Sequence, residues 1–451
     1  MNMITLAVSI ANGFFIPKLI TVEAYAFYKT YMLYISFVGF LHFGFINGLY
    51  LKYGAFDFDQ LPKKTLRTLN RFFIFMQFSI SVVLFLLSAI CVTMGNGIIF
   101  VFVSANVALI NIGYYFSQIN QFTRRFQIER KILNIKNFLL ILMVSLLPSI
   151  TDKQEIYLLL YQTMVNIIVV FFMFAYNKPL IIGQGTPLSN ERANINNIFK
   201  NGFFVMLSEF ISIFIFGFDS FLVNIFFSTH DFAMYSFAVS LITLLFNLIS
   251  SVSNVIYPYL ARVDKEHLIG YYEFLSTGAI LVSAFILSGN YILKIIIGRF
   301  LVKYDDCMVI LLYLFPTVVF RVMISLIANN FFKVLNLSWE FIQNNIFGLI
   351  LGVFSDIIFY ILFKNVQLIA VASSITFLLW YLKTDCFFCK RFNINWRSVL
   401  KRYIFISITI GLYYILQKHM DFILYLLISS AFGLLMYKDE IYKIKNLFCG
   451  L

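Results

Sequence analysis

Fourteen apolar runs follow one another along this chain, at about 3–16, 29–51, 71–94, 97–119, 134–150, 155–176, 199–227, 232–258, 273–297, 308–331, 342–363, 366–388, 402–417 and 421–437. Most exceed the ~20 residues that a helix needs to cross hydrocarbon. They are continuous and do not alternate, so membrane β-strands are excluded. In lipid the backbone must bond to itself, which leaves helices. The breaks between runs are short and hold no soluble domain. The first run and the last two are short; twelve spans is the conservative count and fourteen the full one.

Composition agrees. Of 451 residues, 61% are hydrophobic and 12% charged, against about 25% charged in globular domains. The net charge of +13 does not indicate nucleic acid, because the basic residues lie between apolar runs. They read as topology signals and lipid-headgroup contacts. With the N-terminus cytoplasmic and all fourteen runs crossing, 25 Lys and Arg fall in inner segments and 7 in outer ones. That bias places both termini in the cytoplasm. The opening MNMITLAVSIANGFF has no basic region and no small-residue cleavage site, so it reads as a span and not a signal peptide. The five cysteines, Cys91, Cys307, Cys386, Cys389 and Cys449, are scattered and odd in number, unlike a disulfide framework. Cys386 and Cys389 have metal or redox spacing but lack a second pair, and no metal site is expected.

The longest polar stretch is 177–198, with two of the seven prolines. It predicts a cytoplasmic linker between a six-helix lobe at 1–176 and a second at 199–389. A helix pair at 402–437 and a cytoplasmic tail at 438–451 follow. Sliding the second half by 207 residues sets Tyr28 on Tyr235, Asn47 on Asn254, Tyr50 on Tyr257 and Asn12 opposite Asp219. Duplicated halves are common in transporters. The offset starts the first run some nine residues before Met1, which predicts a longer natural product.

Ionisable residues inside spans are costly and face a cavity or a partner. Glu209 and Asp219 lie in the run at 199–227, Arg321 in 308–331, His42 in 29–51 and Asp356 in 342–363. Glu209, Arg321, His42 and Asp356 fall at roughly 13–21 Å depth, near the midplane; Asp219 lies nearer the outer surface. One reading is a polar cavity in which Arg321 meets an anion. The other is a buried Glu209–Arg321 pair that locks two helices. Asn47, Asn106, Asn111, Asn254 and Asn329 are more often interhelical glue than ligands; Asn47 and Asn254 remain cavity candidates. Pro148, Pro258 and Pro316 can kink spans, or neighbours can re-satisfy the freed backbone. No Walker loop is present, so ATP hydrolysis is not expected.

Three stretches carry a family resemblance. They are Thr21-Val22-Glu23-Ala24-Tyr25-Ala26-Phe27-Tyr28, then Phe43-Gly44-Phe45-Ile46-Asn47-Gly48, then Phe218-Asp219-Ser220-Phe221-Leu222-Val223 with Tyr235-Ser236-Phe237-Ala238 and Tyr257-Pro258-Tyr259. Over roughly 1–390 the chain resembles bacterial polysaccharide flippases, the O-antigen (Wzx-type) branch of the superfamily that includes multidrug and toxin extrusion antiporters and the lipid II flippase. The usual Gly pair after helix one is missing and helix one is short.

The resemblance implies two pseudo-symmetric six-helix lobes around a central cavity, with alternating access. It implies a substrate of undecaprenyl-pyrophosphate-linked oligosaccharide, moved across the bacterial inner membrane, with Arg321 meeting the pyrophosphate. Membrane lipids, a polymerase and a chain-length regulator are the expected partners. No cofactor is expected beyond coupling to an H+ or Na+ gradient. The competing readings are a small-molecule antiporter of the same fold, an O-antigen polymerase and a scaffold without transport. Arg321 disfavours the first, the lack of a large outer loop the second, and the midplane charges the third.

Overall fold

A computed structural model of the chain describes residues 3–91, 97–260, 262–263, 267–417 and 422–449. Among the described residues the apolar runs are predominantly helical, and no strand occurs. The helices are α1 (Met3–Leu19), α2 (Val22–Phe37), α3 (Phe45–Tyr53), α4 (Lys63–Cys91), α5 (Gly97–Phe122), α6 (Phe126–Leu146), α7 (Gln154–Tyr176), α8 (Leu188–Phe226), α9 (Thr229–Leu260), α10 (Leu268–Phe300), α11 (Cys307–Leu314), α12 (Pro316–Val322), α13 (Asn329–Val334), α14 (Ser338–Phe363), α15 (Val366–Arg391), α16 (Trp396–Gln417) and α17 (Phe422–Cys449). Among the described residues ten helices are long and apolar enough to cross a membrane, or twelve if each of two bent pairs is one span. The chain is an all-helical, multi-pass membrane protein. Of the polar stretch 177–198, Lys178–Leu180 forms a 3-10 turn and the residues from Leu188 onward are helical.

The chain divides into two compact units, residues 1–217 with 228–233, and residues 218–227 with 234–451. The division falls inside α8, after Gly217.

In the first unit, the run at 29–51 is not one straight helix. Val22–His42 and Phe45–Tyr53 meet at 54°. Phe43 and Gly44 take left-handed conformations, with φ of 50° and 85°, and glycine tolerates the second without a Cβ clash. The break frees backbone groups that lipid cannot satisfy, and side chains serve them. Asn111 Nδ2 donates to the Val38 carbonyl at 3.2 Å, Gln77 Nε2 to that of Leu41 at 3.0 Å, and the Gly44 N–H to His42 Nδ1 at 3.0 Å. Asn111 also donates to Gln77 Oε1 at 2.8 Å, so the two amides form one bridge.

Behind the break, α3 crosses α8 backbone to backbone. A Cβ on Gly48 would stand 1.9 Å from the Ile198 carbonyl oxygen, and one on Gly202 2.0 Å from that of Gly44. Small residues allow this approach in membrane helices. Phe45, Phe73 and Tyr115 fill the space beside it, with ring centroids 5.1 and 4.5 Å apart in sequence. Gly48→Ala or Gly202→Ala is therefore expected to wedge α3 from α8 at a cost of about 1–3 kcal/mol. The amount of detergent-extracted monodisperse protein checks this, with Gly217→Ala, which meets nothing within 4 Å, as the control.

Basic residues read as topology signals also bind the protein itself. Arg67 donates to the carbonyls of Pro179 and Gln184, both at 3.1 Å, and Arg71 to those of Ile181 and Gly183, at 3.2 and 2.6 Å. These bonds strap residues 179–184 onto α4. Arg125 donates to Asn177 Oδ1 at 3.1 Å and to the Tyr176 carbonyl at 2.8 Å.

In the second unit, α14 carries buried Asn344, Gly348, Gly352 and Asp356 at four-residue spacing, which is one helix face. Trp380 and Thr376 of α15 lie over the two glycines. The small-residue stripe draws the helices together and carries Asp356 inward.

α16 is anchored by an ion pair. Arg402 NH2 lies 3.4 Å from Asp385 Oδ2, with side chains 3% and 0% exposed. Tyr272 and Tyr403 donate to the same carboxylate at 2.7 and 2.9 Å. The pair ties α10, α15 and α16. Arg402 NH2 also donates to Cys389 Sγ at 3.1 Å. Arg402 is thus a buried structural residue and not the interface cation that its place at the edge of a run suggested.

Candidate functional site

Each unit holds a polar cluster built around ionisable residues that the sequence placed inside spans, although Asp219, set apart by depth, clusters with Arg321 and Asp356, and Glu209 does not. In the second unit these are Asp219, Arg321 and Asp356, which are 5%, 6% and 3% exposed. Asp219 lies on the part of α8 that belongs to this unit. Its Oδ1 accepts from the Ser220 N–H at 2.6 Å and its Oδ2 from Tyr235 OH at 2.8 Å and Ser373 Oγ at 3.1 Å. The carboxylate therefore joins α8, α9 and α15.

Arg321 follows from Pro316, which stands at the start of α12 where its missing N–H costs nothing. Immediately after, Met323–Ala328 forms a π-helical turn, a bulge frequent at functional positions. The span Cys307–Val334 is the most enclosed of the ten, 78% buried, so Arg321 cannot snorkel out to headgroups. Its guanidinium carbon lies 4.5 Å from the centroid of the Phe377 ring and 6.0 Å from that of Phe246. Asp219 is within Coulombic reach of both Arg321 and Asp356. The Asp356 Oδ1 has no hydrogen-bond partner among the described residues. The unit thus buries two carboxyls and one guanidinium together.

In the first unit the cluster is Asn47 and Glu209, with His42 nearby. Asn47 Nδ2 donates to Glu209 Oε1 at 3.1 Å. Both line a cavity of about 450 Å³ with Tyr50, Tyr114, Gln118 and Gln121. His42 is 2% exposed and its ring lies stacked 6.4 Å from Tyr114. The helix break and the cavity therefore share Tyr114. Asn106 and Asn111 act as interhelical bridges, Asn106 donating to Thr163 Oγ1 at 2.8 Å and accepting from Asn166 at 2.8 Å. The side chains of Asn254 and Pro258 lie outside the described residues.

Sequence reasoning missed Tyr235, Ser373 and Phe377 as partners of the charged residues. It also missed Gln118 and Gln121, which carry no charge to mark them in or just past the run at 97–119. One signal was available for Ser373. It lies in Ala372-Ser373-Ser374, a small polar step early in a long apolar run.

No protein-family model matches the chain, and no curated protein sequence does. Among solved structures, the chain is similar to the lipid II flippase MurJ in an inward closed conformation. The TM-score is 0.71 at 15% identity, and the match covers 97% of each chain. The likeness runs almost the whole length of both proteins, so the chain has the fold of that flippase.

Proposed function

We propose that this protein is a flippase that moves an undecaprenyl-pyrophosphate-linked oligosaccharide repeat unit, of O-antigen or capsule, from the inner to the outer leaflet of the bacterial inner membrane by alternating access. The likeness to a lipid II flippase along 97% of both chains carries this reading. Arg321 supports the pyrophosphate end. Its planar fork suits a diphosphate better than a point-charge ammonium, and it stands on the most enclosed span. The N-in, C-in orientation rests on the charge bias between inner and outer segments. The protein is read as a transporter and not an enzyme, delivering its lipid-linked product to a polymerase and a chain-length regulator on the far side.

Charge balance supports ion coupling. One buried guanidinium neutralises one of the two buried carboxylates Asp219 and Asp356. The other needs a proton or a metal cation, because an uncompensated charge in the membrane interior is costly. Coupling to H+ or Na+ through this pair follows. Asp219→Asn and Asp356→Asn are each expected to weaken the coupling by about 1–3 kcal/mol, or 5–150-fold in ion affinity. Initial transport rates under an imposed Na+ gradient and, separately, an imposed H+ gradient check this. Wild-type gradient dependence in both variants would remove the pair from coupling.

The function itself is tested by deleting the gene. Surface polysaccharide is expected to vanish while lipid-linked repeat units accumulate on the inner leaflet, and a plasmid copy restores both. Unchanged surface polysaccharide in the deletion strain would contradict the reading.

A further inference from the structure

The cavity of the first unit differs in chemistry from the charged cluster of the second. Its polar lining is mostly neutral. Asn47, Gln118 and Gln121 offer paired amide donors and acceptors, and Tyr50 and Tyr114 offer ring faces and hydroxyls. Its carboxylate, Glu209, already accepts one bond from Asn47 through Oε1. Asn47 is 8% exposed, and its Oδ1 has no hydrogen-bond partner among the described residues. A buried amide oxygen without a partner is expensive, and this one belongs to a cavity-lining residue, where a ligand hydroxyl or N–H can satisfy it.

The carboxylate decides what fits. Among the described residues the lining holds Glu209 and no Lys or Arg, so a neutral ligand fits here better than a pyrophosphate or a uronic acid, which need a cation. A neutral sugar presents vicinal hydroxyls that both donate and accept, which matches amides and a carboxylate. It also presents an apolar C–H face, which matches tyrosine rings. The volume of about 450 Å³ is within the range of small-ligand pockets.

We infer that this cavity is a glycan subsite that binds an uncharged sugar of the translocated substrate through Asn47, Gln118, Gln121 and Glu209. This rests on the flippase reading above and deepens it. Recognition then has two parts, with the diphosphate end read by a cation and the sugar end by a neutral amide pocket. The sugar end gives specificity for the repeat unit, because a site built to hydrogen-bond hydroxyls discriminates strongly against ligands that lack them.

The test uses the full-length protein in cells that make the native lipid-linked glycan. A benzophenone amino acid is placed at Val205, an apolar residue of the cavity wall, or at Phe246, beside Arg321. After irradiation the adducts are identified by mass spectrometry. The expected result is a Val205 adduct that carries sugar residues. Asn47→Ala with Gln118→Ala should lower its yield, relative to the Phe246 adduct in the same background, by roughly 3–10-fold. A glycan-lipid adduct at Phe246 with none at Val205, or a Val205 yield that ignores the two substitutions, overturns the subsite and leaves the flippase reading standing. No glycan-lipid adduct at either position, in protein that remains monodisperse, overturns both.

Discussion

Arg402→Met and Asp385→Asn are each expected to lose about 3–5 kcal/mol of native stability, because each leaves one buried charge without its partner. That is roughly two to four powers of ten in the folded fraction, enough to remove most of the membrane-inserted protein. The two side chains are 3% and 0% exposed, so screening by solvent gives little relief. The double variant Asp385→Asn, Arg402→Met is expected to recover most of the abundance. It buries no charge, and the new amide oxygen still accepts from Tyr272 or Tyr403. Quantifying extracted, monodisperse protein for the four genotypes closes the cycle. Equal losses that simply add in the double variant would show that the pair is not coupled.

The second large effect concerns Arg321. On the proposed reading a proton can take the place of the guanidinium beside Asp219, so Arg321→Ala should insert and accumulate as wild type does. If Arg321 holds the diphosphate as proposed, transport should nevertheless fall by about a hundredfold or more, the worth of two charge-assisted hydrogen bonds. Arg321→Lys should recover only part, because it keeps the charge and loses the fork. The structure supplies a rival, since Asp219 is a carboxylate within Coulombic reach. If Arg321 serves only that partner, Arg321→Ala should lose abundance, and the double variant with Asp219→Asn should regain both abundance and transport. Measuring protein level and surface polysaccharide together separates the two outcomes.

The fold was legible because hydrophobic length is a local property. Among the described residues the apolar runs folded into helices, straight or broken, with little say from their neighbours in sequence. The break at Phe43 and Gly44 was hidden because the composition stays apolar on both sides of it. Its satisfaction by Asn111 and Gln77 is tertiary, and no spacing within one run announces it. The site was half legible for a related reason. Rise per residue places a side chain along the membrane normal, so Glu209, Arg321, His42 and Asp356 could be set at similar depth. It says nothing about which neighbour a helix face meets. Glu209 and Asp219 are ten residues apart on one helix, yet they belong to different units. Glu209 is served by Asn47, and Asp219 by Tyr235 and Ser373. The Arg402–Asp385 pair was missed because an arginine at the edge of an apolar run has the same sequence signature whether it faces lipid headgroups or a buried carboxylate.

Translocation by the purified protein in sealed proteoliposomes tests the flippase reading most directly. An undecaprenyl-pyrophosphate-linked oligosaccharide, isolated from the host and fluorescently labelled on its sugar, is confined to the inner leaflet by quenching the outer pool with an impermeant reagent. Its reappearance at the outer surface is then followed under an imposed cation gradient. Vesicles holding the wild-type protein are expected to expose the glycan well above the protein-free rate, and vesicles holding Arg321→Ala at equal density at the protein-free rate. Identical rates for wild-type and protein-free vesicles, with the protein shown to be folded and inserted, would contradict the assignment.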